Sequence, residues 1–299
     1  MFKAITIYGI KSQLASDALS LLDYGLQHST FQPCGASQER SAGWVPPRGE
    51  ANGAMVEAVG GQWIARFMVE AKAVPGDVLR RKVEERVAQI EKESGRKPGR
   101  KETKELKEDC LLQLLPMAFT KQSATLVWLD PKAHKIIVGS ASSSATDEII
   151  TALVEALPGL VVVPLYTAIS PTAVMADWLV NQEPAEQFSI DRECELKAAD
   201  ETKATIRYAH HPLDIEEISK HIEVGKLPTC LALTWQDRVS FLLSNSGQLK
   251  KIAFLEGVFE GRNDSAVDGF DADVAISTGE LAQLIPDLIA ALGGEHPGA

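Results

Sequence analysis

The chain has 299 residues, is 45% apolar and 24% charged, and carries a net charge of −11 with a pI near 5.1. That length and composition are those of a globular protein able to bury a core in one large unit or two or three linked ones. The acidic balance excludes a protein whose whole surface attracts phosphate, so the placement of its basic residues decides what it can bind.

The N-terminal MFKAITIYGI runs straight into a strand-like alternation without the apolar core of a secretory signal, and no apolar run approaches a membrane span of about 20 residues. A cytoplasmic protein with no membrane partner is expected. Residues 5–10 (ITIYGI) predict a strand, and a helix is expected from about Ser12, with Leu14, Ala18, Leu21 and Leu22 on one face. Residues 31–50 (FQPCGASQERSAGWVPPRGE) hold three prolines and three glycines, which predicts a loop with a defined path rather than regular structure. Residues 62–69 then read as a second strand.

The spacing of Leu79, Val83, Val87 and Ile90 predicts a helix over 78–93, and that of Leu106, Cys110 and Leu114 another over 102–115. Between them RKPGRK (96–101) is a basic turn centred on Pro98 and Gly99, so the two helices form a hairpin with a positive end. From Lys72 to Lys107 there are 12 basic against 7 acidic residues, while the remainder of the chain holds 18 against 34. The pairs Lys101 with Glu105 and Lys104 with Glu108 fit a solvated hairpin equally well. Phe119, just beyond the second helix, is either a core residue or presented to a partner.

Residues 124–130 and 135–140 flank PKAH as a β-hairpin, and Ile149, Ile150, Leu153, Val154 and Leu157 mark a helix stopped by Pro158 and Gly159. A buried strand at 160–165, a short helix around Trp178, a polar connection to about residue 200 and an extended stretch from Ala204 to His210 follow. Asp214 caps a helix ending at Gly225. Residues 229–256 read as a three-stranded antiparallel meander. In the last helix Ser277 and Glu280 form a capping box, Leu281, Leu284, Ile285, Leu288, Ile289 and Leu292 line one face, and Pro286 kinks it. Strands and helices alternate without a βαβ rhythm, so the fold class is α+β.

The sequence lacks the Walker A, GxGxxG, GxSxG and HExxH motifs, and Cys34, Cys110, Cys194 and Cys230 have no metal-ligand spacing and read as free thiols. The best candidate for catalysis is the acidic group Asp264, Asp268, Asp271, Asp273 and Glu280. Asp271 and Asp273 on one face of a strand could hold Mg²⁺ for phosphodiester cleavage, although a solvated acidic edge explains them more simply. His210 and His211, adjacent on an extended segment, point to opposite sides and suit hydrogen bonding to phosphate or simple exposure better than metal binding.

FQPCG (31–35), GWVPP (43–47), LLPMAF (114–119), VVPL (162–165), HIEVGK (221–226), LALTWQDRVSF (231–241), FDADVAISTGELAQLI (270–285) and ALGGE (291–295) together, in this order, resemble the RdgC family over some 290 residues. The resemblance implies a ring-shaped homodimer of three-lobed subunits, with a basic helical-hairpin tip at 76–115, a centre at 1–75 and 116–174, and a base at 175–270. Residues 271–299 would be a strand and helix returning to the centre. It further implies sequence-independent binding of double-stranded and, more weakly, single-stranded DNA, negative modulation of RecA-mediated recombination in support of replication fork repair, a place on the nucleoid, and no enzyme activity or cofactor. Inhibition by direct contact with RecA and a metal-dependent nuclease are the alternatives. On this reading Arg80, Arg81, Lys82, Arg86, Arg96, Lys97, Arg100, Lys101, Lys203, Arg207, His210 and His211 meet DNA. Phe119 matches an aromatic at the contact that closes the ring. Leu281, Leu284 and Leu288 are a second dimer contact or are buried in their own subunit. His210 and His211 stand where a related sequence has Lys and Gln, a departure at a DNA-facing position.

Overall fold

The computed structural model describes residues 1–258 and 269–296. In chain order the elements are β1 (Ala4–Ile10), α1 (Ala18–His28), β2 (Arg40–Val45), β3 (Val56–Val59), β4 (Gln62–Ala73), α2 (Gly76–Ser94), α3 (Arg100–Leu114), a 3₁₀ turn (Leu115–Met117), β5 (Phe119–Asp130), β6 (Lys135–Val138), α4 (Ser143–Ala156) and β7 (Val162–Pro164). They continue with α5 (Pro171–Asn181), β8 (Phe188–Ala198), β9 (Thr205–Ala209), α6 (Ile215–Glu223), β10 (Lys226–Trp235), β11 (Val239–Ser244), β12 (Leu249–Phe254) and α7 (Gly269–Ala291). The class is α+β, as expected.

The strands form a sheet in the order β2-β4-β5-β6-β1-β12-β11-β10-β8-β9, with β3 beside β4 and β7 beside β1, and every pairing between these strands is antiparallel. β1 joins the two halves: Ala4 and Ile5 pair with β12, while Thr6 to Gly9 pair with β6.

Strand alternation sends successive side chains to two cores. On one face Tyr8, Ile10, Val127, Leu129, Ile136 and Val138 pack with Leu22 and Leu26 of α1 and Ile149 and Leu153 of α4. On the other, Ile5, Ile7, Trp128 and Ile137 pack with Leu281, Leu284 and Leu288 of α7. The strand half from β8 to β12 adds Cys194, Leu196, Leu231, Leu233, Trp235, Phe241 and Leu243 to that second core, under α5 and α6. Its opposite face, with Glu193, Cys230, Ala232, Ser240, Leu242 and Lys251, contributes nothing to either core.

α7 runs unbroken through Pro286, begins at Gly269 and revises several expectations about the C-terminal region. No strand precedes the helix at 271–276. Ser277 is fully buried inside it, its hydroxyl donating to the carbonyl of Asp273 rather than capping a terminus. Leu281 and Leu284 are 0% and Leu288 is 2% exposed, so these three side chains belong to the chain's own core and offer no surface to a second subunit. Each contributes about 1.5–3 kcal/mol by burial. The helix is 23 residues long and apolar enough to cross a membrane by length and composition, in contrast to the expectation that no segment approaches a membrane span. Here it is tied to the sheet, Trp235 Nε1 donating to Asp287 at 2.8 Å and Arg238 Nε to Glu280 at 2.7 Å.

The expected loop at 31–50 contains β2, hydrogen-bonded to β4 from Arg40↔Ala71 to Val45↔Arg66. Its non-regular part is pinned by Glu70, which is buried and accepts from the Cys34 amide and from Gln122 Nε2, each at 2.7 Å. The supposed polar connection before residue 200 is the 11-residue strand β8. α1 starts at Ala18, later than expected, and Leu21 faces solvent. The capped α6, with Asp214 accepting from the Glu217 amide, and the β10–β12 meander lie where the sequence places them.

Candidate nucleic-acid interface

The predicted basic hairpin is α2 and α3, turning through Gly95 in the left-handed conformation (φ 70°) and Pro98. It stands at the end of a ribbon. β4 and β5 are 12 residues each, and β6 joins β5 only from Val127 onward, so Phe119 to Leu126 pair with β4 alone. Leu79, Cys110 and Leu115 are buried there, yet belong to neither main core.

Arg80, Arg81, Arg86, Arg96, Lys97, Arg100 and Lys101 are exposed on this hairpin, and Lys82 is half-buried. Arg96 Nη1 lies 3.1 Å from Glu102, and Arg80, Lys101 and Lys104 lie 3.9–4.0 Å from Glu84, Glu105 and Glu108. Exposed pairs of this kind contribute at most about 1 kcal/mol and exchange readily for another anion. Among the described residues Arg81, Lys82, Lys97 and Arg100 have no ion-pair partner. At the base of the hairpin three apolar side chains face solvent: Leu112, Met117 (73% exposed) and Phe119 (90% exposed). Phe119 is therefore not a core residue.

The second group of candidates surrounds β9, the terminal strand of the sheet. Lys203, Arg207, His210 and His211 are all exposed. Lys203 and His210 adopt left-handed φ of 48° and 54° at the two ends of β9. His211 Nδ1 is engaged with the Pro212 carbonyl at 2.8 Å, whereas His210 lines a depression of about 220 Å³ in the sheet face that no core covers. Asp191, Arg192, Glu193, Ala232, Ser240, Phe241, Leu242 and Lys251 also line it. Arg207 Nη2 donates to Glu193 at 3.1 Å, and Lys251 Nζ to both oxygens of Glu193 at 2.6 and 2.8 Å. Lys251, a cation on the same carboxylate as Arg207, is not marked by local sequence because its partner Glu193 is 58 residues away.

Of the acidic group proposed for metal-assisted cleavage, Asp264 and Asp268 lie outside the described residues. Asp271 and Asp273 sit on α7, not on a strand, and two positions along a helix are turned by about 200° from each other, so they do not share a face. Asp271 is bound to Arg48 Nη2 at 2.6 Å and Glu280 to Arg238. Among the described residues no group of three or more His, Cys, Asp or Glu is placed to hold a metal ion. All four cysteines are free. A cavity of about 630 Å³ between β1, α4, α5 and α7 lies apart from both basic groups and is lined by Tyr8, Thr146, Asp147 and Ser170 among others.

These features define an α+β protein with an antiparallel sheet, a projecting basic hairpin and a second basic patch on a sheet face left uncovered among the described residues. The family model described as "RdgC: Putative exonuclease, RdgC" matches residues 1–295, and the chain belongs to the RdgC family of recombination-associated proteins. It is 42% identical to "Recombination-associated protein RdgC" of Dechloromonas aromatica, with 98% of each chain covered. The proteins of the same name from Herminiimonas arsenicoxydans and Bordetella pertussis are 38% and 37% identical, over 99% and 98% of this chain and 98% of each of theirs. The relatives' name states no catalytic activity, while the family description carries the word exonuclease.

Proposed function

We propose that this protein binds duplex DNA through its phosphates without reading sequence, binds single strands more weakly, and closes around the duplex as a ring homodimer of three-lobed subunits. By occupying DNA it restrains RecA-mediated strand exchange and supports replication fork repair, acting in the cytoplasm on the nucleoid, without catalysis or cofactor. The observation that carries this reading is charge segregation. A chain of net charge −11 places 12 basic against 7 acidic residues between Lys72 and Lys107, and the projecting hairpin Gly76–Leu114 holds 11 basic against 9 acidic while the rest of the chain holds 19 against 32. Contacts from flexible Lys and Arg to phosphate fix position and affinity but carry no sequence information. A ring lets such side chains line an opening while the outer surface stays acidic.

The test is binding of unrelated duplexes of one length across a salt series, with Arg96, Lys97, Arg100 and Lys101 changed to Ala in parallel. Equal affinities that fall linearly in log salt, with a shallower slope in the variant, are expected. No binding at low salt overturns the reading. A variant that loses DNA binding but still inhibits strand exchange moves the target to RecA itself. Intact end-labelled duplex after incubation with Mg²⁺ is expected, and shortening of it would establish the nuclease instead.

A further inference from the structure

The face of the β8–β12 half that no core covers among the described residues holds an arrangement that the hairpin charge does not require. Glu193 on β8 accepts from two cations at once, Lys251 from β12 and Arg207 from β9, although β10 and β11 lie between β8 and β12. Lys251 is the extra residue of a β-bulge: Ser240 pairs with Ala253 and Leu242 with Lys250, so two residues of β12 face Phe241 alone. Its φ is 50°, a left-handed conformation that a lysine adopts at a cost of about 1–2 kcal/mol. Bulges re-aim side chains, and this one turns Lys251 over the depression that His210 and Arg192 also line. Two cations meet on this one carboxylate; Asp191 and Arg192, which also line the depression, offset one another, and Glu195 stands opposite Arg207 in the β8–β9 register, so the surplus of one positive charge belongs to the Lys251–Glu193–Arg207 cluster alone. Arg207 and Lys251 stay more than half exposed, with side-chain exposures of 59% and 57%, while Glu193 beneath them is only 19% exposed. The carboxylate thus serves as a base under the two cations, and their remaining N–H groups are free to meet an anion from solvent.

We infer that Lys251 and Arg207, held in register by Glu193, form a single binding site for one backbone phosphate of the bound nucleic acid, with Glu193 as the positioning residue. This rests on the DNA-binding reading above and adds to it a contact on the sheet face, carried by a residue that neither motif nor local charge run marks. The depression of about 220 Å³, lined by Lys251 and Glu193 and reached by Arg207 through its bond to Glu193, accommodates a phosphate group but not a base pair, which suits a contact blind to sequence.

The test measures the salt dependence of binding to one duplex of about 20 base pairs for the unaltered chain and for Lys251→Gly, Lys251→Ala, Lys251→Arg, Arg207→Ala and the double variant K251G/R207A. Glycine keeps the left-handed bulge without strain, so K251G remains folded where alanine could distort it, and thermal melts monitor this. K251G is expected to bind several-fold more weakly, with a slope of log affinity against log salt shallower by about one, and K251R to restore both. The double variant is expected to lose about one in slope, not two, because both side chains serve one phosphate. A lowered melting temperature with an unchanged slope would make the cluster a purely structural ion pair and overturn the inference alone, as would an additive loss of two. Absence of duplex binding by the unaltered chain overturns the underlying reading and the inference with it.

Discussion

Lys251 and Glu193 are bonded across three strand spacings of one sheet, 58 residues apart in the chain. On a flat sheet their strands would be about 14 Å apart. A register shift in β10 at Thr229, a second in β8 where Asp191, Arg192 and Glu193 face Ala232 alone, and the bulge at Lys251 bend the strands so that the two side chains meet over a depression. Lys251, and with it Arg207, holds the Glu193 carboxyl below the usual carboxylate range against the opposing effect of burial. A depressed carboxyl stabilises the fold fully above its unfolded value of about 4.3 and loses that contribution as pH falls through the lower folded value. Thermal melts of Glu193→Gln are therefore expected to show a smaller drop below about pH 4.3 than those of the unaltered chain. Parallel curves through that range would show that Glu193 contributes nothing to acid sensitivity.

Phe119 and Met117 tell a different story from their sequence neighbours. Their side chains are almost wholly in solvent at the foot of the basic hairpin, so Phe119→Ala removes no packing within the chain and is expected to change stability by no more than about 0.5 kcal/mol. If Phe119 closes a ring between two subunits, the same variant weakens self-association. Sedimentation of both proteins over a concentration series, beside their melts, reads the two effects separately. A destabilised variant with unaltered association would place Phe119 in its own subunit's structure after all.

What the sequence made legible was local. Asp214 as a helix cap, the alternation of β10 to β12 and the two hairpin helices are each specified by residues within a few positions, and each stands where the pattern put it. β2 was hidden because its pairing comes from β4, twenty residues on, while its own segment is dominated by turn formers. β8 was hidden because only one side of it is apolar: Cys194 and Leu196 face the core while Glu193 and Glu195 alternate toward the open face. Ser277 with Glu280 imitated a helix start, but the helix had already begun at Gly269 and the Ser277 hydroxyl is satisfied by the preceding turn. The hairpin half of the candidate site was visible as a charge run. Glu193 and Lys251 were not, since only the curvature of the sheet brings them together.

Gly25 of α1 lies against the end of α4 so closely that a Cβ built on it falls 1.8 Å from the Ala156 carbonyl oxygen and 2.7 Å from its carbon. Both obstacles are backbone, so no rotamer change relieves them. Gly25→Ala must push α1 from α4 and disturb the packing of Leu22 and Leu26 against Leu153, at a cost of about 1–3 kcal/mol. Gly76→Ala, at the first residue of α2 with nothing within 4 Å of the added carbon, is the control and is expected to be neutral or slightly stabilising. Urea midpoints at constant m decide it, and equal midpoints for both variants would show that the two helices can separate freely.

The apolar face of α7 has two possible employers, a partner subunit or the chain's own sheet, and they predict different losses. Leu284 is fully buried in the core that contains Trp128 and Ile137 from the sheet and Trp178 from α5. Leu284→Ala leaves a cavity there and is expected to cost about 2–5 kcal/mol. That loss belongs to the monomer. Its unfolding midpoint should therefore shift by the same amount at every protein concentration, whereas a residue at a subunit contact would make the shift depend on concentration. Phe119→Ala is expected to behave in the opposite way, with little effect on the monomer and a concentration-dependent effect on assembly. Should Leu284→Ala instead dissociate a folded dimer at no cost to the monomer, α7 would have to leave the sheet when two chains meet, and the core described for a single chain would be that of the unassembled state.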